Sequence, residues 1–223
     1  MSSKPLVIAI DGPAGSGKST TSKEVARRLG IGYLDTGAMY RAVTVAFLDS
    51  GVSRDDADAV ARATREAAID ISLDPDDYWV KVNGRDVTHE IRSGRVTENA
   101  SAVSTNPDCR ADLVRRQRAL IDSDARGCVA EGRDITTVVY PDAAVRILLT
   151  ASEDARLARR RGDVGASVSA EKLRDQVLNR DKADSKLVEF TRPADGVHLL
   201  DTTNLTFDEA VSTIVAMAEE ARS

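Results

Sequence analysis

The sequence predicts an α/β fold: a doubly wound, five-stranded parallel sheet with a small antiparallel β insertion. Three observations carry that expectation. Apolar runs only a few residues long recur at residues 6–10, 33–34, 128–130, 145–149 and 197–200, and each reads as a strand buried on both faces. Stretches of helical spacing separate them, so the connections are crossovers and the strands parallel. Between residues 69 and 88 the pattern changes to three short segments, two of them joined by Asn83-Gly84, a strong signal for a tight hairpin.

Taken in order, Leu6-Val7-Ile8-Ala9-Ile10 is the first strand and Asp11-Gly12-Pro13-Ala14-Gly15-Ser16-Gly17 a turn. Lys18–Leu29 is a helix with Val25, Ala26 and Leu29 on its apolar face and Gly30 as its C-cap. Tyr33-Leu34 is a second strand ending at Asp35, and residues 37–48 and 55–68 are helical. The insertion covers about residues 69–90, with strands at 69–73, 78–82 and 86–88. A long amphipathic helix follows over about 107–121, striped by Leu113, Val114, Leu120 and Ile121. Residues 162–167 read as a mobile loop and 207–221 as a final helix. No repeat or low-complexity linker interrupts the chain, so residues 1–223 are expected to form a single domain.

A chain that is 42% hydrophobic and 30% charged can build a packed core and is not expected to be disordered. Its net charge of −5 argues against broad nucleic-acid binding, which runs on clustered positive charge, so basic clusters are read as small anion sites. Cys109 and Cys128 have no CxxC or Cys/His ligand spacing, and the only histidines are His89 and His198, so no zinc site is expected. Two free thiols suit a reducing, cytoplasmic setting. The first apolar run is too short for a leader or a membrane span, and no later run reaches spanning length. Neither nucleic acid nor membrane is expected as a partner, and the chain is expected to be a monomer.

Gly12-Pro13-Ala14-Gly15-Ser16-Gly17-Lys18-Ser19 matches G-x4-G-K-[ST] between an apolar strand and a helix, the context that this phosphate-binding loop requires. A triphosphate needs many donors converging on a small anion. Glycines let successive backbone N–H groups point inward, and the helix that follows adds the positive end of its dipole. Residues 12–19, with Thr20 beside them, are thus the candidate ATP site; Lys18 would bridge the β- and γ-phosphates and Ser19 would ligate Mg²⁺. A guanine-reading N-K-x-D is missing, which removes the GTPase switches and leaves small-molecule kinases.

Two further motifs choose the acceptor. Asp35-Thr36-Gly37-Ala38-Met39-Tyr40-Arg41 follows the second strand and Glu131-Gly132-Arg133-Asp134 the third, both where an open α/β sheet binds ligands. Arg41 and Arg133 can clamp an acceptor phosphate through planar, bidentate hydrogen bonds. Asp134 can accept from an exocyclic amine, and Arg110 can donate to ring acceptors. Together with Ile91-Arg92, Arg115-Arg116-Gln117-Arg118 and Arg180-Asp181, these motifs resemble the bacterial cytidylate kinase family over nearly the whole chain. The resemblance implies a P-loop, nucleoside monophosphate kinase-like fold, with a monophosphate-binding region over residues 36–100 and a lid over about 155–168. It implies transfer of the ATP γ-phosphoryl group to CMP or dCMP with Mg²⁺. It places Thr36, Tyr40 and Arg41 on the acceptor side, Ser101 with Arg110 and Asp134 on the base, and Arg180 and Asp184 near the sugar.

Arg156, Arg159 and Arg160 recur at i, i+3 and i+4 in a run of four arginines. Alone, such a run is a solvated helix face. Beside the expected lid, the same arginines can close on the phosphates and stabilise charge during transfer, which makes them the catalytic candidates with Lys18. Tyr78, Trp79 and Met39 read as packing, and the histidines and cysteines carry no assigned chemistry. The sequence departs from the family at Thr136, where a glycine is usual, and after Asp184, where Lys186 or Arg192 stands in for an arginine. The alternatives to a cytidylate kinase are a P-loop kinase for another nucleotide or metabolite and a non-catalytic ATP sensor.

Overall fold

The computed structural model describes residues 5–164 and 192–222. Arg180, Asp184, Lys186 and residues 165–167 lie outside the described residues, as does the side chain of Arg160, whereas residues 162–164, expected to open a loop, continue the helix that precedes them. In chain order the elements are β1 (Val7–Asp11), α1 (Lys18–Leu29), β2 (Gly32–Asp35), α2 (Thr36–Asp49), α3 (Ala57–Glu66), β3 (Ile69–Ile71), β4 (Val80–Val82) and β5 (Arg85–Asp86). A 3₁₀ turn (Glu90–Arg92), α4 (Gly94–Asn99), α5 (Ser101–Ser104) and α6 (Pro107–Ser123) come next. Then follow β6 (Cys128–Gly132), a π-helical turn (Ile135–Val139), β7 (Val145–Thr150), α7 (Glu153–Val164), β8 (His198–Asp201) and α8 (Phe207–Arg222).

Five strands form one parallel sheet in the order β2-β6-β1-β7-β8. Alternation along β1 divides the interior into two cores. Val7 and Ala9 face one side with Leu34, Cys128 and Ala130, covered by α2, α3, α6 and the insertion. Ile8 and Ile10 face the other with Val129, Ile147 and Leu149, covered by α1 and α8. Both faces are therefore covered along β2, β6, β1 and β7, which is why these strands read as unbroken apolar runs rather than as alternating ones; the edge strand β8, expected from its apolar run to be buried on both faces, is instead mostly exposed, Leu199 by 56%. Burying a side chain such as Ile8 or Ile10 contributes about 1.5–3 kcal/mol.

The antiparallel insertion has the order β3-β4-β5, and Asn83 and Gly84 both hold positive φ, 51° and 77°, as a two-residue hairpin of this hand requires. Its strands are shorter than the sequence suggests. Tyr78 lies outside β4 because its ring turns inward against Tyr33, 6.0 Å between centroids, and packs against both cores. Val80 and Val82 belong to the core under α2, α3 and α6, so the insertion is an integral part of that layer. The helix after β2 starts at Thr36, one residue earlier than expected; Asp35, not Thr36, is its N-cap, accepting from the Ala38 N–H at 3.0 Å.

Cys109 and Cys128 are free and fully buried, and burial pushes the Cys128 thiol up to about 12. Among the described residues, no helix is long and apolar enough to cross a membrane.

Candidate active site

The loop between β1 and α1 is built by close approach. A Cβ at Gly12 would sit 2.1 Å from the Leu149 carbonyl oxygen at the end of β7. Gly15, at φ +75°, passes the backbone of α7 so tightly that a Cβ would meet the Arg156 carbonyl oxygen at 2.8 Å. No side chain caps the first turn of α1, and Gly17 turns into it with positive φ, leaving the helix N-terminus as an anion-binding end. Lys18 folds back over the loop, its Nζ donating to the Pro13 carbonyl at 3.3 Å. Two arginines of α7 reach the same rim: Arg156 Nη1 donates to the Ala14 carbonyl and Arg159 Nη1 to the Ser16 carbonyl, each at 3.0 Å. Arg159 also grips Thr202 beyond β8, donating to its carbonyl at 2.7 Å. The two arginines thus stand together at the loop, whereas Thr20 turns its hydroxyl back onto the Gly17 carbonyl at 2.9 Å.

Beneath the loop, three acids lie at the carboxyl ends of the central strands, where the register sets Asp11 level with Gly132 and Asp35 level with Glu131. The Ser19 hydroxyl donates to Glu131 Oε1 at 2.6 Å, and the Tyr33 hydroxyl adds a longer bond of 3.2 Å to the same oxygen. Burial raises the Glu131 carboxyl above its usual range and the charge of Asp35 raises it further, while Lys18, the Ser19 hydroxyl and Arg133 pull it back. Asp35 gives its second oxygen to Arg92 Nη2 at 3.0 Å. Asp11 accepts from the Ile135 N–H at 2.8 Å, the Thr136 N–H at 2.9 Å and the Thr136 hydroxyl at 2.6 Å. Burial raises Asp11 as well, against the lowering effect of these bonds.

Arg133 crosses from the end of β6 to the donor loop, its Nη1 2.7 Å from the Gly12 carbonyl. Asp134 pairs with Arg110 Nη2 at 2.5 Å in a largely buried contact. Arg110 also touches the Ser104 carbonyl at 3.3 Å, beside the short helix that begins at Ser101. Arg41 is buried under the 3₁₀ turn, donating to the Ile91 carbonyl at 2.8 Å and to the Thr97 hydroxyl at 3.0 Å. Thr36 bonds the Glu131 carbonyl at 2.8 Å and so joins β2 to β6 at the edge of the site. The Tyr40 hydroxyl is buried near Asp134 and Arg110.

The structure therefore brings Lys18, Ser19, Arg156 and Arg159 to the loop, and Arg133 and Asp134 to the adjoining turn at the same sheet edge. It adds two acids that the sequence reading passed over, Glu131 and Asp11. Glu131 was legible as the acid before Gly132-Arg133-Asp134, but its role depends on strand register. Asp11, at the end of an apolar strand, reads alone as a turn residue; Thr136 makes it a tie between two loops.

A family model described as "Cytidylate kinase" matches residues 8–220. The chain is 45% identical to the cytidylate kinase of Rhodococcus opacus, covering 99% of this chain and 97% of that protein. It is 46% identical to that of Nocardia farcinica (93% and 90% covered) and 43% identical to that of Streptomyces avermitilis (98% and 94%). An uncharacterised protein of known crystal structure from Eubacterium ventriosum shares the fold at a TM-score of 0.52 and 12% identity, covering 96% of this chain and 98% of that one. Matched over almost its whole length, the chain belongs to the cytidylate kinase family.

Proposed function

We infer that the protein transfers the γ-phosphoryl group of ATP to CMP or dCMP, releasing ADP and CDP or dCDP, with Mg²⁺, as a cytoplasmic monomer. The observation that best supports the acceptor half is the buried Arg110–Asp134 pair standing one residue from Arg133, which itself touches the donor loop. A phosphate clamp and a base reader are then adjacent, and both adjoin the triphosphate cradle.

A phosphate oxygen of the acceptor attacks the γ-phosphorus in line as the bond to the ADP oxygen breaks, so no covalent intermediate is needed. What the chain supplies is position and charge. Residues 12–20 wrap the donor phosphates, and Lys18 bridges the β- and γ-groups. Arg41 and Arg133 hold the acceptor phosphate, with Thr36 and Tyr40 along that side. Asp134 accepts from the 4-amino group of cytosine, and Arg110 and Ser101 bind the ring acceptors. Arg180 and Asp184 serve the sugar. Arg156, Arg159 and Arg160 close from α7 and exclude water.

The oxygen donors fit Mg²⁺. The Ser19 hydroxyl and one carboxylate, Glu131, are already joined, and among the described residues no cluster of three or more His, Cys, Asp or Glu side chains could hold a metal alone. That suits an ion bound through one or two protein oxygens and the substrate phosphates. When bound, Mg²⁺ would neutralise charge on the donor phosphates.

The test is a coupled assay with ATP–Mg²⁺ against CMP, dCMP, UMP, AMP, GMP and shikimate. Turnover is expected with CMP and dCMP, and about 10²-fold lower kcat/KM with UMP. Slow hydrolysis whatever acceptor is offered would mark an ATP sensor, and preference for another acceptor would overturn the base assignment.

A further inference from the structure

One helix carries an amide where its neighbours are apolar. The buried face of α6 runs Cys109, Leu113, Gln117 and Ile121 at intervals of four residues, and all are fully buried. Neither the oxygen nor the nitrogen of the Gln117 amide has a hydrogen-bond partner among the described residues, and the buried Tyr40 hydroxyl is also unpaired. Each such group costs about 1–3 kcal/mol if left unmade, which is hard to reconcile with a mere packing role that leucine could fill. The three atoms are not scattered. The Tyr40 hydroxyl lies within reach of the Gln117 amide, short of a well-formed hydrogen bond, and the charges of Asp134 and Arg110 act on it.

We infer that Gln117 is a specificity-positioning residue, linked through Tyr40 to the base-reading carboxylate of Asp134. The direction of the relay follows from the chemistry of its members. An ionised carboxylate only accepts, so Tyr40 must donate to Asp134; the phenol oxygen is then free to accept an N–H from Gln117. Burial, with the charge of Asp134, pushes the Tyr40 hydroxyl up to about 12, so it remains a donor at neutral pH. Arg110 donates to Oδ2, and a second donor in Tyr40 would fix the orientation in which the Asp134 carboxylate offers its acceptor to the ligand. An exocyclic amine satisfies that acceptor, whereas a carbonyl at the same place meets lone pair with lone pair. Gln117 itself is fully buried and acts only through Tyr40.

This inference rests on the reading of Asp134 as the cytosine contact, and the experiment separates the two. CMP and UMP kinetics, KM for ATP and the melting temperature are measured for wild type, Gln117→Met, Tyr40→Phe, the double variant and Asp134→Asn. Methionine keeps the length and removes the polar atoms. Gln117→Met is expected to keep KM for ATP and to hold or raise the melting temperature, since unpaired buried atoms are removed, while lowering the CMP-over-UMP ratio about tenfold, the size of one lost hydrogen bond. Tyr40→Phe should lower the ratio equally, and the double variant no further, because both break one relay. If Gln117→Met does not fold, Tyr40→Phe, which deletes a single oxygen, decides the matter by the same ratio. An unchanged ratio in Gln117→Met and Tyr40→Phe, alongside a collapsed ratio in Asp134→Asn, would overturn the relay and leave the base assignment standing. A wild-type enzyme indifferent to CMP and UMP would overturn both.

Discussion

Ser19 and Glu131 lie 112 positions apart in the chain and are joined by a hydrogen bond of 2.6 Å, hydroxyl to carboxylate, in the floor of the donor loop. The contact places a fully buried acid directly behind the serine that the loop motif reserves for a metal. Glu131→Gln should lower turnover about 10–100-fold, in the range for residues that hold a metal's ligands in place. Its effect on stability should have the opposite sign. With its carboxyl raised above the ordinary 4.5, Glu131 favours the fold most when protonated, and that advantage is lost as pH rises through the raised value. Melting curves without nucleotide or metal should therefore show the variant gaining on wild type more at pH 8 than at pH 5. An equal difference at both pH values would contradict the raised carboxyl.

Lys18→Ala should leave the protein folded, since Lys18 stands at the first turn of α1 and its side chain packs in neither core. Turnover at saturating ATP should fall by orders of magnitude, because a charge partner of the transition state is removed. Near-normal turnover would remove Lys18 from the mechanism.

Arg156 and Arg159 should separate in their effects. Arg156→Gln is expected to lower kcat more than it raises KM for CMP, the pattern of a group that matters most in the closed state. Arg159→Gln should do the same and also lower the melting temperature, since its guanidinium ties the loop to Thr202 through a 2.7 Å bond to the Thr202 carbonyl. A pure KM effect for both would leave these arginines as structural ties to the loop and remove them from the transfer step.

The tie between Asp11 and Thr136 can be cut without changing shape. Thr136→Val removes the hydroxyl that sits 2.6 Å from Asp11 and leaves a buried carboxylate short of one donor. The expected loss is about 1.5–3 kcal/mol, or roughly 3–12 °C in a chain of this size. No loss would mean that the two backbone N–H groups suffice for Asp11.

Asp134→Asn should narrow the preference for CMP over UMP, since an amide can donate to the uracil oxygen where a carboxylate cannot. Asp134→Ala should be worse for the fold than the amide, because it strands Arg110 in a largely buried contact; breaking such a pair costs about 3–5 kcal/mol. Parallel kinetics and melting curves on the two variants check both statements.

Much of the architecture was legible because it rests on local signals. The buried strands announce themselves as apolar runs, α1 by the glycine that ends it, and the hairpin by Asn83-Gly84. The donor loop was legible for a sharper reason: few other sequences let backbone N–H groups converge on an anion. What escaped depended on distance in the chain. Glu131 gains its meaning only when β6 pairs with both β1 and β2, and Asp11 only when the π-helical turn delivers Thr136 to it. Thr36 was legible as an acceptor-side residue; that it joins two strands follows from Asp35 taking the helix cap and from β2 lying beside β6. Gln117 was visible only as part of an Arg-rich motif, because the helical stripe had been read from its aliphatic members alone.

Both native thiols lie at zero exposure, one in α6 and one in the central sheet. A thiolate, not a thiol, is what maleimides and other labels attack, and neither cysteine offers one to solvent. The wild-type chain is thus already a silent background for single-site labelling. A cysteine placed at exposed Asp154 or Ala158 on α7, paired with one at exposed Arg54 beside α3, would take a donor and an acceptor dye without removing either native residue. Distances between such dyes, followed one molecule at a time, would report whether α7 moves relative to α3 as nucleotides arrive.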